Sequence, residues 1–164
     1  LIAFLGDGSF RDTLGILQKV LSGAGGRTID RATVERITGA PPLTIVSELF
    51  SALIEQNIDH CYTALRRAEE HNVDVATLIK LLLQAVRLTL MYRYSPSARE
   101  EIAASYGEQY TELITRGAVE GTKSITSQSI ISLITALERV SYAAIPTLPL
   151  ELACIEITGT EALT

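Results

Sequence analysis

The sequence predicts an all-α fold, a helical bundle whose segments are separated by glycine, proline and helix-capping residues. Apolar residues recur at spacings of three and four along most of the 164 residues, which is the period of an α-helix. Hydrophobic residues make up 47% of the chain, whereas aromatic residues make up 5% and tryptophan is absent, a mixture typical of helical packing layers. The segment near Ile155 is rich enough in β-branched residues to suit a strand, but the chain offers no partner strand, so we predict a helix there as well.

The first 40 residues predict a small helical unit. Residues 1–5 suggest the end of one helix, and a short helix capped by Asp30 ends at Gly39. Between them, four large apolar residues at spacings of 4, 3 and 4 predict a helix with one packed face: Phe10, Leu14, Leu17 and Leu21.

A larger helical domain follows the stretch Gly39-Ala40-Pro41-Pro42, because two prolines cannot continue one helix but can begin the next. We therefore predict domains over residues 1–40 and 41–158, and a frayed tail over residues 159–164. A helix late in the second domain carries five large apolar residues: Ile130, Ile131, Ile134, Leu137 and Val140.

The helix predicted over residues 74–94 is the most apolar element of the chain. Lys80, Gln84 and Arg87 make one narrow polar stripe, and nearly every other position is apolar. A helix with so wide an apolar surface lies either at the centre of a bundle or at a contact between subunits. Its polar stripe does not fit a membrane span, which needs about 20 mostly apolar residues. The residues predicted for subunit contact are Leu78, Leu82, Leu83, Val86 and Leu90.

No catalytic or metal-binding constellation is found in the sequence. The phosphate-binding pattern G-x-x-x-x-G-K-[ST] is absent, so the chain cannot hold ATP alone. His60 and Cys61 are adjacent and would point about 100° apart on a helix, and His71 has no partner ligand beside it. Cys61 and Cys154 are expected to be reduced and buried in a cytoplasmic protein. The net charge of −5 argues against direct nucleic-acid binding.

One short stretch, Gly8-Ser9-Phe10-Arg11-Asp12, combines a helix start with an arginine in the first turn. Ser9 can cap the helix, and Asp12 completes a shortened capping box. The amino end of a helix favours anions, and an arginine there adds a forked donor suited to phosphate. The alternative is a plain capped helix whose Arg11 pairs with Asp12 or with solvent.

The stretch from Gly6 to Lys19 resembles the sensor-2 helix of the gamma/tau subunits of bacterial DNA polymerase III, the ATPases of the sliding-clamp loader. The pattern of that family reads Gly-Ser-apolar-Arg-Asp-Ala-Leu-Ser-Leu. This chain departs from it at Thr13 and Gly15, both small-for-small changes, has Ile16 in place of the final Leu, and keeps Gly8, Ser9, Arg11, Asp12 and Leu14. The glycine-rich turn, the short helix ending at Gly39 and a helical remainder of similar length extend the resemblance over nearly the whole chain.

The resemblance implies that residues 1–40 are the C-terminal part of an AAA+ helical lid and that the rest is the collar of the loader ring. It implies that Arg11 senses the γ-phosphate of ATP, bound with Mg²⁺ by an ATPase domain outside this chain, and that Gly8, Ser9 and Asp12 support it. The implied partners are the delta and delta-prime subunits and further gamma/tau copies, in the cytoplasm, with no membrane.

The chain itself is expected to be neither an enzyme nor a cofactor binder. Because it begins at Leu1 rather than Met, we expect a longer parent protein. The alternative function is a free-standing helical protein–protein adaptor with no link to a nucleotide, in which the stretch from Gly8 to Asp12 is only a capped turn.

Overall fold

The described part of the chain consists of helices joined by short connections. A computed structural model describes residues 1–6 and 9–159. These residues form ten helices and no strand, which confirms the predicted all-α class and the helix around Ile155. The helices divide into two compact units, Leu1–Pro42 and Leu43–Thr164. The sequence placed the boundary between residues 40 and 41.

The first unit contains three helices, α1 (Ile2–Leu5), α2 (Phe10–Ala24) and α3 (Arg31–Thr38). Asp30 caps α3, because its carboxylate accepts a hydrogen bond of 2.8 Å from the backbone N–H of Thr33. Helices α2 and α3 approach each other closely at Gly23, where a Cβ would lie 3.1 Å from the side chain of Ile37. Glycine at this position therefore permits the close contact between the two helices.

The described part of the second unit contains seven helices. They are α4 (Leu43–Ile54), α5 (Ile58–Glu70), α6 (Val75–Tyr94), α7 (Pro96–Ser105), α8 (Glu108–Glu120), α9 (Ser127–Val140) and α10 (Leu148–Thr158). Helix α6 contacts α4, α7, α8 and α9, and α10 packs against α9, α5 and α4. Leu78, Ile79 and Leu82 of α6 are fully buried, so this helix supplies the centre of the core.

Among residues 1–6 and 9–159, α6 is the one single helix that is long and apolar enough to cross a membrane. Its 18-residue apolar window is 44% buried within the structure. Because the core helix of a bundle meets the same criterion of length and composition, this property alone is weak support for a membrane span.

Helix α8 crosses α4 and α6 at a glycine. A Cβ on Gly117 would lie 3.0 Å from the ring of Phe50 and 3.2 Å from the methyl group of Thr89, closer than ordinary packing allows. A larger residue at this position would therefore push α8 away from the two helices that it covers.

Arg93 fastens the end of α6 to the end of α8. Its guanidinium donates hydrogen bonds to the carbonyl oxygens of Gly117 (2.9 Å), Ala118 (3.0 Å) and Ile125 (2.7 Å). The first two belong to the last turn of α8, where carbonyl groups lack partners within the helix and a positive charge is favourable. One half-buried side chain therefore joins α6, α8 and the connection that leads to α9.

We expect Arg93→Met to lower the free energy of unfolding by about 2–4 kcal/mol, because three carbonyl groups lose a charged donor. Urea denaturation followed by circular dichroism measures this change. Arg87→Met is the matched control, since Arg87 lies on the same helix, is exposed, and has no hydrogen bond or ion pair with a described residue. We expect the control to change stability by no more than about 0.5 kcal/mol. Equal effects of the two substitutions would contradict the role assigned to Arg93.

Candidate functional site

Ser9 caps the amino end of α2, as the sequence predicts, but the capping box predicted with Asp12 does not form, because the backbone N–H of Ser9 donates to the carbonyl oxygen of Gly6. Ser9 adopts an extended conformation and its hydroxyl accepts a hydrogen bond of 3.2 Å from the backbone N–H of Asp12. The hydroxyl of Thr13 donates to the carbonyl oxygen of Ser9 at 2.8 Å. Asp12 therefore contributes its backbone N–H to the cap, and its carboxylate adds a negative charge in the first turn, where it is favourable. Gly8 lies outside the described residues.

Arg11 lies in the first turn of this helix and its side chain is exposed. It has no hydrogen bond or ion pair with any residue in the described ranges. The pairing with Asp12 that the plain-cap alternative allowed is therefore absent. A guanidinium in this position can engage an anion without first breaking a contact with a described residue.

The prediction that Phe10, Leu14, Leu17 and Leu21 form the packed face of α2 is wrong. Their exposed fractions range from 36% for Leu17 to 79% for Phe10. The inward side of the helix carries smaller residues, with Val20 and Ala24 buried, because the close approach of α3 at Gly23 leaves little room there. The first unit consequently presents an outward apolar stripe, which we call the α2 stripe, consisting of Phe10, Leu14, Leu17 and Leu21.

The five residues predicted for subunit contact on α6 do not share one environment. Leu78, Leu82 and Val86 are fully buried inside their own unit, because the neighbouring helices surround that side of α6. They cannot reach another subunit while the bundle is intact. Leu83 and Leu90 are half-buried and lie seven residues apart on the outer side, close to the exposed Arg87. Only these two remain candidates for contact.

Two other helices, α9 and α10, expose larger apolar side chains. In α9 the buried positions are Ser129, Ser132, Leu133 and Ala136, so three of the four inward residues are small. Ile131 and Ile134 point outward and are 54% and 43% exposed. Large aliphatic side chains on the solvent side, with small residues inside, are the reverse of what a helix needs for packing only within its own bundle.

Helix α10 carries large apolar residues on both its inward and its outward side. Leu150, Ala153, Cys154 and Ile157 face the bundle, while Leu148, Leu152 and Ile155 are 42–47% exposed. Exposed apolar residues grouped on one face mark sites of contact with other molecules. We call the outward set on the two helices the α9–α10 outer surface: Ile131, Ile134, Leu148, Leu152 and Ile155. Apolar residues spread around the whole helix, interrupted only by Glu151, Glu156 and Thr158, were the signal in the sequence that could have revealed it.

A groove of about 480 Å³ between α4 and α5 does not provide a chemical site. Its floor is made of small side chains, and its charged groups engage one another. Glu48 pairs with Arg67 at 2.5 Å, and Glu55 lies 3.4 Å from the imidazole of His60 and 2.6 Å from Arg116. The described residues contain no group of three or more His, Cys, Asp or Glu side chains that could hold a metal ion.

We expect replacement by aspartate to lower stability much more at a buried leucine than at an outward one. Leu82→Asp places an unpaired carboxylate in the core and should lower stability by several kcal/mol or abolish folding. Leu152→Asp places the same group on the α9–α10 outer surface and should cost within about 1 kcal/mol. Thermal unfolding of both variants in dilute solution measures the difference. Loss of folding in Leu152→Asp would contradict the outward assignment of this side chain.

No protein-family model matches the sequence, and no curated protein matches it. A function is therefore inferred from three observations: the capped Arg11 turn, the α2 stripe and the α9–α10 outer surface.

Proposed function

We propose that this chain belongs to a subunit of a bacterial replicative clamp loader and comprises the end of its helical lid and its collar. The observation that carries the proposal is Arg11, which lies exposed in the first turn of the helix capped by Ser9 and has no partner among the described residues. The resemblance of the surrounding stretch to a sensor-2 helix assigns this arginine to the γ-phosphate of ATP.

The physical logic of a sensor fits this position. The ATP and its Mg²⁺ would be held by an ATPase domain outside these 164 residues, since the chain has no phosphate-binding loop. An arginine on a lid helix contacts that phosphate only when the lid closes. Its binding energy then favours the closed arrangement over the open one, so the state of the nucleotide is coupled to the angle between domains.

The α2 stripe supports the assignment of the first unit to a lid. Four large apolar side chains exposed on a three-helix unit require cover from other parts of the protein. The remaining helices of a lid domain would supply that cover. Because Arg11 follows Phe10 by one residue, its side chain leaves the helix about 100° away from Phe10 and stays accessible when the stripe is covered.

The second unit would act as the collar and do no chemistry. Its α9–α10 outer surface offers the apolar contact for assembly with delta, delta-prime and further gamma/tau copies in the cytoplasm. Glu151 and Glu156 flank the exposed residues of α10, whereas the exposed Arg87 lies on the outer side of α6. Contact between these unlike faces is electrostatically favourable, and repeated contacts between unlike faces generate rings when the rotation closes.

We expect Arg11→Ala in the full-length parent to abolish most ATP-driven clamp loading, while the isolated chain keeps its fold and assembly. The reason is the loss of the only charged donor that the described part of the turn offers to the phosphate. Clamp loading onto primed DNA is the measurement, and Lys19→Ala, on the exposed side of the same helix, is the control. Normal loading by Arg11→Ala would overturn the sensor role.

We expect assembly to depend on the α9–α10 outer surface. Light scattering over a concentration series, on the chain alone and mixed with delta and delta-prime, measures the mass of the complexes. Leu152→Asp should shift the wild-type mass toward the monomer, because it places a charge in an apolar contact. Val119→Asp is the control, since Val119 is 71% exposed and lies outside that surface, on α8. Unchanged assembly of Leu152→Asp would remove this surface from the collar contact.

A second candidate function is a helical adaptor with no link to a nucleotide. The α9–α10 outer surface favours it as much as it favours a collar, because an apolar contact surface needs no ATP. The two functions differ in their predictions for Arg11 and for the parent gene. An adaptor tolerates Arg11→Ala in every assay, and its coding sequence carries no phosphate-binding loop upstream of these residues.

A further inference from the structure

A groove of about 880 Å³ runs along α8, on the side next to the end of α7. Ala103 of α7 and the ring of Tyr106, just beyond that helix, line one wall. Thr111 and Thr115 of α8 are half-buried and lie at the floor. The lining follows α8 from its start to its end, a length of about 18 Å. We call this feature the α7–α8 groove, and it lies within the second unit.

The floor and the wall of the groove present apolar surface. The hydroxyl of Thr111 donates to the carbonyl oxygen of Tyr106 at 3.4 Å, and that of Thr115 donates to the carbonyl oxygen of Thr111 at 2.9 Å. Both hydroxyl protons are therefore used within the protein. The Tyr106 ring is held in place by the ring of Tyr110, 5.4 Å away between centroids, and by Gln84, whose amide donates to the Tyr106 hydroxyl at 3.2 Å. A ligand of this groove needs an apolar body.

The rim of the groove is negatively charged. Residues 100–115 contain four glutamates and no lysine, arginine or histidine. Two of them, Glu108 and Glu112, line the groove, are exposed, and have no hydrogen bond or ion pair with a residue in the described ranges. The helix dipole favours Glu108 in the first turn of α8, but Glu112 lies beyond that turn and repels Glu108. The carboxylate of Glu112 therefore does nothing for the helix and is available to a ligand.

The arginine at the far end of the groove does not neutralise this rim. Arg116 donates hydrogen bonds to the carboxylates of Glu55 at 2.6 Å and Glu120 at 2.9 Å, and to the hydroxyl of Ser51 at 3.1 Å. Its charge is balanced by those two carboxylates, which leaves the negative charge at the other end uncompensated.

We propose that the α7–α8 groove binds a basic segment of a partner protein, with lysine or arginine side chains lying across the ring of Tyr106 and ending at Glu108 and Glu112. Both side chains combine an aliphatic stem with a charged head, so one residue matches the apolar floor and the acidic rim together. A cation over the tyrosine ring adds a favourable contact. An extended segment of about five residues spans the groove, and its alternate side chains point to the same side.

The inference concerns a surface separate from Arg11 and from the α9–α10 outer surface. It does not depend on the proposed function, and either can fail without the other.

The test is binding of a fluorescein-labelled peptide of about six residues, in which arginine alternates with alanine, to the whole chain. Fluorescence anisotropy at low ionic strength measures the affinity. Replacing both rim glutamates, Glu108→Gln with Glu112→Gln, should weaken binding about ten-fold, because each exposed ion pair contributes up to about five-fold. A peptide with citrulline in place of arginine keeps the shape, loses the charge, and should bind at least about ten-fold more weakly than the arginine peptide.

The matched control is the double variant Glu100→Gln with Glu101→Gln. It removes the same charge from the same acidic stretch, but both residues are exposed on α7 and lie outside the groove. We expect it to change the affinity by less than about two-fold. Thermal unfolding of both double variants should match that of the wild type, which separates loss of binding from loss of the fold.

Four outcomes would overturn the proposal. The wild-type chain could fail to bind the arginine peptide at low ionic strength. The two double variants could weaken binding equally, which would assign the effect to overall charge. The citrulline peptide could bind as tightly as the arginine peptide. Finally, spermine could displace the labelled peptide as effectively as the unlabelled peptide does, which would show that the rim takes any polycation and does not select a protein segment.

Discussion

Burial of α6 is the constraint on which the larger unit depends. Four helices pack on this one helix, and each fully buried aliphatic side chain on it contributes about 1.5–3 kcal/mol relative to exposure in water. Helices α5 and α10 do not pack on α6 in the same way, and they are held through α4 and α9, which do. Arg93 adds hydrogen bonds to this apolar packing, since it connects the end of α6 to the carbonyl groups at the end of α8.

The periodicity of the sequence was sufficient to predict the all-α class, the capped helix starts and a centrally placed α6. It was not sufficient to decide which apolar face turns inward. The Phe10–Leu21 spacing describes a perfect helical stripe, yet α3 covers the opposite side, where Val20 and Ala24 allow a closer approach. An amphipathic pattern identifies a helix face that must be buried. Whether that face is buried within its own unit depends on the sizes of the residues on both faces of the helix.

The sequence alone also could not show which apolar surface is available for contact with another subunit. The width of the apolar surface of α6 fits a bundle centre and a subunit contact equally well, and only the packing of four neighbouring helices separates the two. Helix α10 was harder to interpret, because its apolar residues are spread around the helix and their periodicity does not indicate which side faces the bundle. The outward placement of Leu148, Leu152 and Ile155 is therefore a property of the tertiary fold. Arg93 was equally hidden, since its acceptors lie 24 to 32 residues away along the chain.

The position of α10 in the chain has a consequence for synthesis on the ribosome. This helix covers parts of α4, α5 and α9, but it is translated after all of them. At typical elongation rates the interval between α4 and α10 is on the order of 10 s, during which the inner faces of the earlier helices lack their cover. The nascent chain is then a partly open bundle with exposed aliphatic side chains. The arrival of α10 then covers those faces and completes the core of the unit.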